Sequence, residues 1–141
     1  MKKMLAIMLI VAIAVFSPVC SMAEDIFNYY TTTAGGFFAS YNISLTKAGT
    51  TIHIAFRTTA VETMDQLGVL SYDVQRLVSG TWTTVADDVT GSIGSDTAFY
   101  SFSRNYSAAS GYSYRVKAKY YAKKYDGTST SVTMTSSSIS V

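Results

Sequence analysis

Cysteine, proline and histidine are nearly absent from this chain of 141 residues, which holds one of each: Cys20, Pro18 and His53. Charged side chains are also scarce, at 14% of residues. Beyond residue 16 no run is long and apolar enough to cross a bilayer as a helix, and no window repeats apolar residues at the 3.6-residue helical period. Each absence excludes something. A lone histidine does not supply the convergent ligands of a metal centre, and no Ser or Asp partner for a triad can be placed beside it. A lone cysteine forms no disulfide within the chain.

The first 23 residues carry the order of an export signal. Lys2 and Lys3 precede an uncharged run from Met4 to Phe16, Pro18 breaks it, and Ser21-Met22-Ala23 stand before Glu24 and Asp25. The apolar run is 13 residues long, short of the roughly 20 that span a bilayer. Cleavage is expected after Ala23, which makes the protein a secreted, extracellular one. Lipid anchoring through Cys20 needs small residues ahead of the cysteine, and Pro18-Val19 stand there instead, so Cys20 is expected to leave with the signal. The mature chain then has no disulfide, no thiol nucleophile and no cysteine-ligated metal. Losing Lys2 and Lys3 also reduces 11 basic residues to 9, equal to the 9 acidic ones. A neutral domain has no global electrostatic attraction to nucleic acid or membrane; nucleic acid is not expected as a partner, nor a membrane span after signal cleavage.

What is present is alternation with a period of two, which specifies strands. Ile52, Ile54 and Phe56 alternate with Thr51, His53, Ala55 and Arg57; before them Ala39, Tyr41, Ile43 and Leu45 alternate with Ser40, Asn42 and Ser44. Lys47-Ala48-Gly49 joins these two runs as a hairpin. Leu70, Tyr72, Val74 and Arg76 are expected to share a face, and Ser79-Gly80 turns the chain into Thr81 to Val85 with Trp82. Asp87 to Asp96 reads as a loop, Thr97 to Arg104 as a strand, and Tyr112 to Tyr121 as the longest alternation; Asp126-Gly127 is a turn before the last strand or two. Turn signals every 8 to 12 residues predict an all-β, two-sheet antiparallel sandwich of about seven strands over residues 37–141. Residues 1–23 are expected to form the helical signal peptide, and 24–36 an extended arm or edge strand.

Three patterns resemble the fibronectin type III form of the immunoglobulin-like sandwich. Tyr72-Asp73-Val74-Gln75-Arg76 with Gly80-Thr81-Trp82 is similar to its third strand and following hairpin, and Tyr114 to Ala118 to its sixth strand. Gly111, three residues before Tyr114, resembles the start of its tyrosine corner. The resemblance implies structural roles for Tyr72, Gly111 and Tyr114, with Phe56 standing where that family has a strand-two tryptophan. Ala108-Ala109-Ser110 replaces the usual leucine and proline. A wider likeness, from about Phe38 to Val141, is to a family of small uncharacterised secreted proteins of Gram-positive, clostridia-like bacteria. It is carried by Thr63 to Val69, Gly80-Thr81-Trp82, Tyr112 to Val116 and Tyr120 to Lys124, and it implies no activity.

Candidate chemistry is thin. His53 is expected at the surface. Glu62 and Asp65 lie in what reads as a loop, where paired carboxylates suit glycoside hydrolysis or calcium but Asp65 equally suits a turn. Asp87, Asp88 and Asp96 bracket a glycine-containing segment, another calcium candidate with a solvated loop as the plainer reading. Arg115, Lys117 and Lys119 project at alternate positions of one strand, about 7 Å apart, with Tyr121 and Lys123 extending the row. That row could follow an anionic polymer; it equally forms a soluble face in which lysines guard an edge. Tyr29, Tyr30, Tyr106, Tyr121 and Tyr125, with Phe37 or Phe38, are expected to be exposed and to give rigid contact area for protein or sugar. The expected function is a non-catalytic interaction module for a protein or a cell-surface glycan or polymer, without cofactor or metal. Its binding face would be Arg115, Lys117, Lys119, Tyr121, Lys123 and Trp82. The alternatives are a carbohydrate-binding module that uses Trp82 and a self-assembling envelope protein whose arm adds to a neighbour's sheet edge.

Overall fold

Alternating burial builds each strand. A computed structural model describes residues 36–141; the expected signal peptide, Cys20, Tyr29, Tyr30 and the arm up to residue 35 lie outside them. The strands are β1 (Phe38–Ala48), β2 (Thr51–Val78), β3 (Thr81–Ser107), β4 (Ser113–Lys123), β5 (Ser129–Thr135) and β6 (Ile139–Ser140). All pairings are antiparallel, and the described residues form no helix.

The strands run in the order β1-β2-β4-β5, with β3 also on β2 and β6 also on β4. Residues 51–60 of β2 lie between β1 and β3, while residues 66–76 lie between β3 and β4. One strand therefore serves two layers, and the sheet curls. The layers close face to face, because rings from distant pairings meet inside: Phe56 and Tyr72 at 5.0 Å, Tyr41 and Tyr120 at 5.4 Å. The Tyr120 hydroxyl donates to the Asn42 carbonyl across the same core. Burial pushes its ionisation far up. The result is a curled, sandwich-like antiparallel sheet of six strands.

Several expectations are corrected. Thr51–Thr58 and Val69–Leu77 are one strand, as are Thr81–Val85 and Thr97–Arg104, so six elements replace about seven. Asp87 to Asp96 is not a loop; its ladder to β2 continues, with register shifts between Tyr72 and Val74 and between Val74 and Gln75. Glu62 and Asp65 likewise belong to β2 and not to a loop. A register shift between Val69 and Ser71 reverses the phase, so Val69 is buried at 1% exposure and Leu70 projects at 37%. An irregularity between Phe38 and Ser40 similarly buries Phe38 in place of Ala39. Tyr106 packs partly on the core.

Glycine permits the long β2–β3 hairpin to bend. A Cβ on Gly68 would stand 2.2 Å from the Ser92 carbonyl oxygen, and one on Gly91 would stand 2.1 Å from that of Val69. Two backbones approach here too closely for any side chain.

Candidate functional site

The outward face of β4 is fixed by strand phase. Tyr114, Val116, Ala118, Tyr120 and Ala122 point into the core, so Arg115, Lys117, Lys119, Tyr121 and Lys123 point out. Across β2 they face Gln75, Asp73, Ser71, Gly68 and Gln66 in turn. On the β5 side, Lys117, Lys119, Tyr121 and Lys123 face Thr135, Thr133, Ser131 and Ser129. Trp82 joins at one end, where β3 pairs it with Leu77. All six residues of the expected face therefore share one surface.

Their neighbours change its character. The Arg115 guanidinium lies 4.3 Å from the centroid of the Trp82 ring, and its Nε donates to Gln75 Oε1 at 2.8 Å. One face of the tryptophan is thus covered. Lys123 pairs with Asp65 at 3.0 Å, which raises its affinity for the proton through the hydrogen bond and the charge; Lys124 pairs with Glu62 at 2.7 Å. Lys117 and Lys119 are left as the lysines of β4 without an ion pair among the described residues.

These two lysines border a shallow groove of about 330 Å³, lined also by Ser71, Asp73, Asp87, Asp88 and Thr133. Asp73 Oδ1 accepts the backbone N–H of Asp88 at 2.9 Å, tying the β3 bend onto the groove wall; Asp88 has φ 45°. In the sequence alone Asp87 and Asp88 belong to a separate loop and Asp73 has no functional part. Only the cross-strand register brings them to the lysines. The groove presents ammonium groups on one side and carboxylates on the other, so it is not a continuous cationic track.

The remaining candidates lie elsewhere. His53 Nδ1 is 2.8 Å from Asn105 Oδ1, beside Arg57, Ser101 and Ser103 in a separate shallow hollow. Among the described residues no three His, Cys, Asp or Glu side chains are grouped so as to hold a metal ion. Asp96 accepts the Tyr125 hydroxyl at 2.8 Å, which raises the tyrosine's ionisation, and Tyr125 remains 63% exposed. Phe37 lies partly covered under the Lys124 ammonium, 5.0 Å away. Among the described residues the expected aromatic surface is therefore scattered, with only Tyr121 in the β4 row.

Tyr114 holds the loop before β4. Its hydroxyl accepts the Ala109 N–H at 2.9 Å and donates to the Ala109 carbonyl at 3.1 Å. Gly111, at φ 86°, makes the turn between them in a conformation that side chains disfavour.

No protein-family model matches the chain, and no curated protein sequence does.

Proposed function

We propose that this chain is an exported, non-catalytic interaction module that binds a protein partner through the outward face of β4 and the bend of β3. The observation that carries this reading is the two-signed groove of Lys117 and Lys119 opposite Asp73, Asp87 and Asp88. Adjacent unlike charges on a solvated, open surface complement a partner that also bears both signs, which is the ordinary make-up of a protein surface. A uniform polyanion would meet the three carboxylates. A glycan-stacking role for Trp82 is weakened by Arg115 on its ring.

The finer fold assignment is part of the same proposal. One layer reads β1, β2 (51–60), β3 (99–107); the other reads β3 (81–97), β2 (66–78), β4, then β5 and β6. That order supports a fibronectin type III-like sandwich in which β2 and β3 each supply two strands. The Tyr114–Ala109 closure supports it further.

The test uses extracellular and cell-surface proteins of the source bacterium, captured on the immobilised domain and identified. Binding of the identified partner is then measured for Lys117→Glu/Lys119→Glu and for Asp73→Lys. Each reversal is expected to reduce affinity at least about tenfold while circular dichroism is unchanged. Partner binding indifferent to both reversals, or turnover of a substrate by the pure protein, sinks the reading.

A further inference from the structure

The outer edge of β3 differs between its two halves. Both are edges, since β3 pairs with β2 alone among the described residues. Residues 81–97 are defended against strand addition: Asp87, Asp88 and Asp96 put charge on the edge, and positive φ values at Asp88 (45°) and Asp96 (52°) kink it. Residues 99–107 have no positive φ and no acidic side chain. Their ladder to β2 is unbroken from Thr59↔Phe99 to Thr51↔Ser107, and Arg104 is their one charge. A flat, unkinked edge of this kind invites another strand. The other two outer edges approach each other: the Lys47 ammonium, at the end of β1, donates to the Ser140 carbonyl of β6 at 2.5 Å, and Tyr41 of β1 and Met134 of β5 line one open hollow.

We propose that residues 99–107 of β3 pair antiparallel with the same residues of a second copy, about a two-fold axis through Ser103. The segment Phe-Tyr-Ser-Phe-Ser-Arg-Asn-Tyr-Ser is complementary to its own reverse. With Ser103 opposite Ser103, Tyr100 meets Tyr106 of the second copy, Ser101 meets Asn105, and Phe102 meets Arg104. Aromatic and cation–π pairs are favourable directly across a sheet, and this register sets no like charges opposite one another. Arg104 already lies 5.0 Å from its own Phe102 ring, so the second copy repeats an existing contact in reverse. Tyr100, Phe102 and Tyr106 are half-buried because the layer stops at their strand. A second β3 would cover their open side, and the three-stranded layer would continue as six strands. The axis is isologous and closes at two copies. This inference does not depend on the β4 groove.

Sedimentation equilibrium of the full chain from micromolar to millimolar concentration tests it, with Ser103→Lys and Ser103→Glu. Ser103 is exposed and on the outward face, so both variants are expected to keep the wild-type circular dichroism. The wild type is expected to dimerise. Either variant places like charges across the axis and is expected to raise the dissociation constant about tenfold or more at low salt. An equimolar mixture of the two is expected to restore dimers. In a Cys20→Ser background, Ser103→Cys is expected to form a disulfide-linked dimer on mild oxidation, since Cα atoms directly opposite stand about 4.5 or 5.5 Å apart. A monomeric wild type, a Ser103→Lys dimer of undiminished affinity, a mixture that stays monomeric, or no cross-link in the Ser103→Cys variant each overturns the proposal.

Discussion

The Tyr114 hydroxyl and the Ala109 backbone satisfy each other twice, the hydroxyl accepting at 2.9 Å and donating at 3.1 Å. Tyr114 is 1% exposed, whereas Ala109 lies at the surface, so the contact is only partly buried. Tyr114→Phe keeps the ring and its 5.9 Å contact with Tyr106 but removes both hydrogen bonds. The expected loss is about 0.5–1.5 kcal/mol, the range for an ordinary hydrogen bond, since water can reach the Ala109 groups left behind. Urea unfolding checks it, with a lowered midpoint and an unchanged m value.

The strand interiors were legible because one face of each is buried. Ile52, Ile54 and Phe56 sit inside, as do Tyr114, Val116, Ala118 and Tyr120, each set following a period of two. Where phase reverses, the pattern misleads. Leu70 looks like the partner of Tyr72, but a single-residue shift hands that place to Val69. Asp and Gly between residues 87 and 96 look like a loop because the same residues serve kinked strand pairing. The β4 row was legible as a row. Its neutralisation was not: the Lys123–Asp65 and Lys124–Glu62 pairs and the Asp73 side of the groove depend on register between segments distant in sequence.

The β2–β3 bend rests on side chains that are missing. Gly68→Ala and Gly91→Ala would drive a methyl into the backbone of the opposing strand, 2.2 and 2.1 Å from a carbonyl oxygen. Backbone cannot rotate aside as a side chain can, so each is expected to cost at least the upper end of the roughly 1–3 kcal/mol typical of overpacking. Gly49→Ala, in the β1–β2 turn at φ 60°, meets open space, and there only the left-handed conformation resists, at about 1–2 kcal/mol. Thermal melts should rank Gly49→Ala as the mildest of the three. Equal losses at all three positions would contradict the close approach.

Stability should decline at both ends of the pH scale for different reasons. Asp126 accepts the Thr128 hydroxyl at 2.6 Å and the Thr128 N–H at 2.9 Å, and these donors hold its carboxyl below the ordinary value. A lowered folded value stabilises above the unfolded range of about 4, and the contribution is lost as pH falls through the folded value. Asp126→Asn keeps an acceptor without a titrating group. It should flatten the acid limb of the melting temperature and leave neutral stability nearly unchanged. Tyr120 works in the opposite sense. Burial raises its ionisation, so its contribution is complete below about pH 10 and lost as pH rises further. Tyrosinate absorbance should therefore show a late-ionising component, Tyr120 among it, whose titration coincides with unfolding.

Trp82 is the one tryptophan in the chain, so its fluorescence reports on a single contact. The Arg115 guanidinium rests 4.3 Å from its ring centroid, held from the other side by Gln75 Oε1 at 2.8 Å. Gln75→Ala removes the group that orients the guanidinium while leaving both stacked partners in place. Arg115→Ala removes the cover itself. Quenching by acrylamide should increase in both variants, more strongly in Arg115→Ala, with a stability loss of about 0.5–1 kcal/mol for a contact open to solvent. Arg115→Lys should resemble Arg115→Ala more than wild type, because an ammonium lacks the planar surface that stacks. If uncovering the ring created a glycan-binding platform, Arg115→Ala would gain affinity for cell-wall sugars. On the groove reading it gains none, and affinity for the protein partner falls on reversal of the groove charges such as Lys117, Lys119 or Asp73 and not in Arg115→Ala.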